Sequence, residues 1–129
     1  MPAITDEQVE AVRALVASVP AGSVTTYGDL AAAADLSSPR IAAWIMRTDS
    51  SDLPWHRVIR ASGRPAPHLA TRQLARLRAE GVLAEDGRIA GRRAVAEMYE
   101  ERAREYRRYG DTIRRAVLNS MRPPEPSGD

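Results

Sequence analysis

Three helix-start signals fall within the first 39 residues, and together they commit this half of the chain to a helical scaffold. Thr5 is followed three places on by Gln8, a capping-box pair, and Val9, Val12, Leu15, Val16 and Val19 then recur at helical spacing. That pattern predicts an amphipathic helix from about Asp6 to Val19, ended by Pro20 and Gly22. Thr26 with Asp29 starts a second helix through an alanine-rich run. Ser38 as N-cap with Pro39 at the first helical position starts a third. The last two are separated by only a few residues, the spacing of a DNA-binding helix-turn-helix and equally of an ordinary helical hairpin; spacing alone leaves both open.

The texture then changes. From Arg47 to His68, "RTDSSDLPWHRVIRASGRPAPH", three prolines, a glycine and several short polar residues surround the apolar pair Val58 and Ile59. This predicts a long shaped loop with a short strand inside it, and loops of that length usually carry function unless they are disordered. "LATRQLARLRAEG" is helical, with Leu69 or Ala70, Leu74 and Leu77 on one side and Gly81 as its stop. "VLAEDGRIAG" carries apolar pairs around Asp86-Gly87, a hairpin signal, and a hairpin after a helix-turn-helix is the wing of a winged helix. A long helix follows, with Val95, Met98 or Tyr99, Arg102 or Ala103, Tyr106 and Tyr109 along one stripe, then another from Asp111. "RPPEPSGD" reads as a disordered tail by composition. The expected fold is mainly α with a small β hairpin: a winged helix-turn-helix domain over residues 1–91, a C-terminal helical extension over 92–122, and a tail over 123–129.

Composition narrows the chemistry. The chain has no cysteine, which removes disulfides, cysteine-ligated zinc and any thiol nucleophile. Its two histidines, His56 and His68, lack a third ligand beside them, so no metal or other cofactor is expected. No serine stands in a GxSxG setting. No apolar run approaches the roughly 20 residues of a membrane span, and the first residues carry no basic segment followed by an apolar one. The expected location is the cytoplasm, associated with the nucleoid, without membrane contact. All 19 basic residues are arginine; between residues 39 and 78 eight of them face only Asp49 and Asp52. A basic middle in a chain of net charge +2 points to a local anionic partner, most often nucleic acid. Within it, Trp55 between Pro54 and His56 fits either a core tryptophan or a base-stacking wall.

"SVTTYGDLA", "PRIAAWIM", "PWHRVI" and "RLRAEG" stand in the order and approximate spacing of the DNA-binding domain of the O6-alkylguanine-DNA alkyltransferases, whose hallmark is a Pro-Cys-His-Arg-Val segment. With Trp55 where the enzymes have the nucleophilic cysteine, the chain resembles the alkyltransferase-like proteins, which recognise alkylated guanine without repairing it. The likeness runs from about Thr5 to Gly91. It implies that Tyr27 crowds the phosphate beside the target nucleotide and helps turn it outward. Arg40 would be the finger that fills the gap left in the base stack, with Arg47 in reserve. It implies that Trp55 and Val58 of the hallmark segment line the lesion pocket, and that His56 and Glu80 keep the enzymes' relay as a support without a nucleophile to serve. Arg57, placed with the lesion-binding residues, would tie the hallmark turn to backbone or carboxylate groups. The loop after Gly63 is short, so Arg64 or His68 would meet the alkylated edge of the base.

The expected function is therefore that of a non-enzymatic sensor, which flips O6-alkylguanine out of double-stranded DNA through the minor groove and marks it for nucleotide excision repair. Two other readings compete: a winged-helix regulator that reads sequence, motivated by the extra C-terminal helices, and a hydrolase built on His56 and Glu80. The departures from the family pattern lie in the segment between Met46 and Pro54, about two residues shorter and without an Asn-Pro hinge, and in the C-terminal helices, which match nothing in it.

Overall fold

The computed structural model describes residues 4–109. The helix expected from Asp111 and the tail after residue 122 lie outside the described residues. Helix α1 (Asp6–Ser18) opens with the full capping box, Thr5 Oγ1 accepting from the Gln8 amide at 3.1 Å and Gln8 Oε1 from the Thr5 amide at 3.0 Å. Strand β1 (Ser23–Thr26) leads into α2 (Tyr27–Ala33), and α3 (Pro39–Thr48) starts at Ser38, whose hydroxyl accepts from the Arg40 amide. A single 3-10 turn (Trp55–Arg57) runs into β2 (Val58–Ile59). Then come α4 (Ala70–Ala79), the antiparallel pair β3 (Leu83–Glu85) and β4 (Arg88–Ala90), β5 (Arg92–Arg93) and α5 (Ala94–Tyr109). Asp86 and Gly87, both at positive φ, form the expected hairpin turn.

Two strands were not expected from the sequence. β1 is the centre of a small parallel sheet of order β2-β1-β5, with Thr25 beside Val58, Thr26 beside Ile59, and Ser23 beside Arg92. All four β1 residues are buried, as the middle of a parallel sheet demands. The consequence for the site is direct: pairing Thr26 with Ile59 sets Tyr27, the next residue, beside the end of the hallmark segment.

The sheet separates two apolar clusters. One joins Val12, Leu15, Val16, Leu30, Ile41, Ile45 and Met46 of the three N-terminal helices with Val58 and Val95. The other joins Val24, Ile59, Leu77, Val82 and Ile89. Val58 and Ile59 enter different clusters because successive side chains of a strand leave on opposite faces. Val95, almost fully buried, draws the start of α5 into the first cluster. Thr26 caps α2 as expected, its Oγ1 accepting from the Asp29 amide at 3.0 Å, while the buried Asp29 carboxylate accepts from the Arg93 guanidinium, Nε at 2.9 Å, and ties α2 to β5.

α4 ends in a Schellman arrangement. The Val82 amide donates to the Leu77 carbonyl at 2.9 Å and the Gly81 amide to that of Arg78 at 3.0 Å, with Gly81 at φ +84°. Gly63, at φ +76°, accepts from the Ile89 amide at 2.8 Å and anchors the hairpin to the loop after β2. A Cβ on Gly63 would lie 3.0 Å from the Ile89 carbonyl oxygen, whereas one on Gly81 would meet nothing within 4 Å. Gly81→Ala is therefore expected to lose about 1 kcal/mol, the conformational cost alone. Gly63→Ala is expected to lose at least about 2 kcal/mol, strain plus a backbone clash. Urea unfolding of the two variants beside the parent measures both, and equal losses would contradict the assigned crowding at Gly63.

Candidate nucleic-acid interface

The hallmark segment is held from behind by one carboxylate. The Schellman end of α4 makes Glu80 its last, C-cap residue, and the side chain reaches the 3-10 turn. Glu80 Oε1 lies 2.8 Å from His56 Nε2 and accepts from Arg57 Nη2 at 2.6 Å; Arg57 Nε donates to Oε2 at 3.0 Å. The fork's remaining nitrogen, Nη1, donates to the Val19 carbonyl at 2.9 Å, just past the end of α1. All three side chains are less than a fifth exposed, so these charge-assisted bonds work in a poorly screened setting. The Arg57 fork, ahead of the hydrogen bond from His56, holds the Glu80 carboxyl at about 2, well below its ordinary 4.5. With Glu80 ionised, His56 Nε2 carries the donated hydrogen. In neutral His56, Nδ1 is then an acceptor, buried and without a protein partner.

Gln73 of α4 fixes the same segment through its backbone. Its side-chain amide, buried, donates to the His56 carbonyl at 3.1 Å and the Val58 carbonyl at 2.9 Å. Nothing in the sequence singled out Gln73; a lone glutamine on the apolar side of a helix is the only signal. Arg13 was missed in the same way. From α1 it grips the segment "TDSSD", donating to Asp52 Oδ1 at 3.0 Å and to the carbonyl and carboxylate of Asp49. This ion pair holds the shortened loop that leads into Trp55, and it pulls the Asp52 carboxyl down.

Trp55 is half-buried against the first cluster, its ring edge-on to His56 at 6.3 Å. Over the indole stand two guanidinium groups, Arg72 at 5.4 Å and Arg76 at 5.3 Å, one helical turn apart on α4, which is cation-π geometry. Beside it opens a cavity of about 420 Å³, lined by Tyr27, Arg47, Trp55, Val58, Arg60, His68 and Arg72 among others, within the size range of small-ligand sites. Three arginines and no carboxylate line it, so its potential is positive. Burial raises the Tyr27 phenol above its ordinary pKa, opposed by Arg60 and Arg47, and leaves it a neutral donor at neutral pH. Arg60 is pinned, its Nε and Nη2 donating to the carbonyls of Arg64 and Pro65.

The residues singled out in the sequence thus fall into three places. Tyr27, Trp55 and Val58 line the cavity together with Arg47 and His68. His56, Arg57 and Glu80 form the clamp behind it. Arg40 is exposed at the start of α3, and Arg64 donates to the Asp86 carbonyl at 3.3 Å, holding the loop to the hairpin; neither lines the cavity. Among the described residues no cluster of three or more side chains could hold a metal ion, and no helix is long and apolar enough to cross a membrane.

Residues 7–82 match the family described as 6-O-methylguanine DNA methyltransferase, DNA binding domain. Over 77 residues the chain is 43% identical to the DNA base-flipping protein of Escherichia coli K12 and to that of Shigella flexneri, a match covering 54% of this chain. The chain spans 57% of the length of these relatives. Among solved structures it is similar to Schizosaccharomyces pombe Atl1 in complex with damaged DNA containing O6-carboxymethylguanine. That match has a TM-score of 0.57 and 28% identity, over 70% of this chain and 92% of the other. A second structure, of S. pombe ATL in complex with DNA, matches with a TM-score of 0.55 and 30% identity over 67% and 90%. The mainly helical fold with its small strands is thus the alkyltransferase-like one.

The clamp makes a pH prediction. A carboxyl whose folded pKa lies below its unfolded value contributes stability that is full above about 4.5 and is lost as pH falls through about 2. The parent should therefore lose urea resistance across this window. Glu80→Gln should be weaker at pH 7 and fall less steeply over the same range. Parallel slopes for the two proteins would remove Glu80 as the source.

Proposed function

Since the chain belongs to the family of the 6-O-methylguanine DNA methyltransferase DNA-binding domain, we propose that it is a non-enzymatic sensor of O6-alkylguanine in double-stranded DNA. The observation that carries this reading is Trp55, seated at the cavity where the alkyltransferases have their cysteine, in front of an intact His56–Arg57–Glu80 clamp. An indole offers no thiolate to accept an alkyl group, and the chain contains no cysteine to replace it. A base without an acidic nucleophile to deprotonate drives no transfer, so the role of His56 is to hold the turn.

Flipping a guanine costs a few kcal/mol, and less where pairing is already weak. Alkylation at O6 removes the N1 proton and spoils pairing with cytosine, so the damaged base is the cheaper one to extrude. The α2–α3 helix pair and the β3–β4 hairpin form a winged helix-turn-helix that meets the minor groove, where sequence readout is poor, which suits a scanner of lesions rather than of sequence. Tyr27 crowds the backbone at the cavity mouth. Arg40 enters the stack from the exposed start of α3, Arg47 guards the cavity, and His68 meets the alkylated edge. The positive lining draws the anionic strand in. A protein that holds a lesion without changing it acts only through what the complex recruits, and we extend the proposal to hand-over to nucleotide excision repair in the cytoplasm.

At one stated salt concentration, a short duplex with a single O6-methylguanine is expected to bind at least about tenfold more tightly than the unmodified duplex, because flipping discounts of one to two kcal/mol are on that scale. Mass spectra of protein and DNA should be unchanged after incubation. Equal affinities refute lesion sensing, and a protein heavier by one alkyl group refutes the non-enzymatic part. Arg40→Ala should weaken both duplexes, the damaged one more, since the vacated stack is then unfilled; if Arg47→Ala shows this pattern instead, Arg47 is the finger. Added protein should raise excision of the lesion in an extract competent for nucleotide excision repair, and unchanged excision removes the hand-over.

A further inference from the structure

Helix α3 turns Ile41, Ala42, Ile45 and Met46 into the core. Its opposite side carries Arg40, Trp44 and Arg47 at i, i+4 and i+7, which a helix stacks into one stripe about 10 Å long. Trp44 is 42% exposed and, with Leu83, one of two large apolar side chains left exposed among the described residues. An indole in this position is not explained by packing, and α3 contributes two arginines and no acid around it. Arg47, at one end of the stripe, also lines the cavity, so the stripe continues the site outward along the helix.

From this arrangement we propose that Trp44 is a second aromatic contact to DNA, lying against the sugar faces and base edges of the minor groove while Arg40 and Arg47 engage the strand on either side. The inference rests on the DNA-binding reading above and adds to it a residue outside the lesion cavity. Charge decides the occupant. A second copy of the chain would bring the same cationic stripe against itself, with four guanidinium groups and no carboxylate on α3 to pair them. A polyanion neutralises them and leaves a flat ring to stack or pack, the combination of basic groove and aromatic platform that nucleic-acid sites use. Because Trp44 stands apart from the cavity, its contribution is to affinity for any duplex and not to discrimination of the lesion.

The test compares Trp44→Ala and Trp44→Phe with the parent on matched duplexes with guanine and with O6-methylguanine. Trp44→Ala is expected to lose about tenfold on both duplexes, in the range of removing one aromatic platform, with the ratio between them unchanged. Trp44→Phe should recover most of the loss, and thermal melting of both variants should stay close to the parent because the ring is exposed. In a Trp55→Phe protein, whose remaining indole is Trp44, added duplex should quench the fluorescence. Unchanged or tighter binding by Trp44→Ala, or a loss confined to the damaged duplex, overturns the proposal. So does a parent dimer in sedimentation that Trp44→Ala dissociates, which would assign the stripe to self-association. If the parent binds neither duplex, the lesion-sensor reading falls as well; if the parent binds and Trp44→Ala binds equally, only the role of Trp44 falls.

Discussion

The Glu80 carboxylate is shared between His56 and the Arg57 fork, and the position of the hallmark turn depends on that sharing. Arg57 passes the constraint on to Val19 at the end of α1, while Gln73, two turns before Glu80 on the same helix, holds the backbone of His56 and Val58. A turn of three residues has almost no intrinsic stability. Here it is fixed from two sides by α4, and the short strand after it pairs with β1. Trp55 projects from this fixed turn, so its place at the cavity is set by bonds made behind it.

The retained clamp is then physically intelligible without a nucleophile. Taking away one partner would leave a mostly buried charge unpaired, which costs several kcal/mol, so the turn needs all three residues whether or not a thiol stands in front of them. On the other side of the ring His56 Nδ1 is buried and has no protein partner among the described residues. Replacing cysteine by tryptophan also changes the wall in front of the clamp from a small reactive group to a broad ring. Arg72 and Arg76 lie over that ring, so a stacked guest must share it with two cations.

What was legible in the sequence was local. Thr5 with Gln8, Ser38 with Pro39, Gly81, and Asp86-Gly87 each act through bonds to residues within a few positions, and each element they announce is present. β1 and β5 were not legible, because "SVTT" and "RR" are too short to carry a period and become strands only by pairing with segments distant in the chain, β1 with β2 and with β5. Asp29 shows both sides at once: its amide donates to the Thr26 cap that the spacing announces, while its carboxylate goes to Arg93, which no local signal marks. The clamp and Trp55 could be placed because family resemblance marks their positions. Gln73, Arg13 and the pair Arg72 and Arg76 could not, since their roles exist only where α4 and α1 pack on the loop.

The arginines show why counting charge along the chain misjudges a site. Of the eight between residues 39 and 78, Arg57 is consumed by Glu80, Arg60 and Arg64 donate to backbone carbonyls, and Arg72 and Arg76 lie over Trp55. Most of the basic excess is therefore architecture that happens to be cationic. Arg40, Arg47 and Arg78 differ in making no such bond or ring contact among the described residues, and the first two stand at the two ends of a stripe on α3 centred on Trp44. The long-range field comes from all of them, because backbone bonds do not neutralise a guanidinium. Short-range contact belongs to those whose donors still face outward, and on α3 these are Arg40 and Arg47.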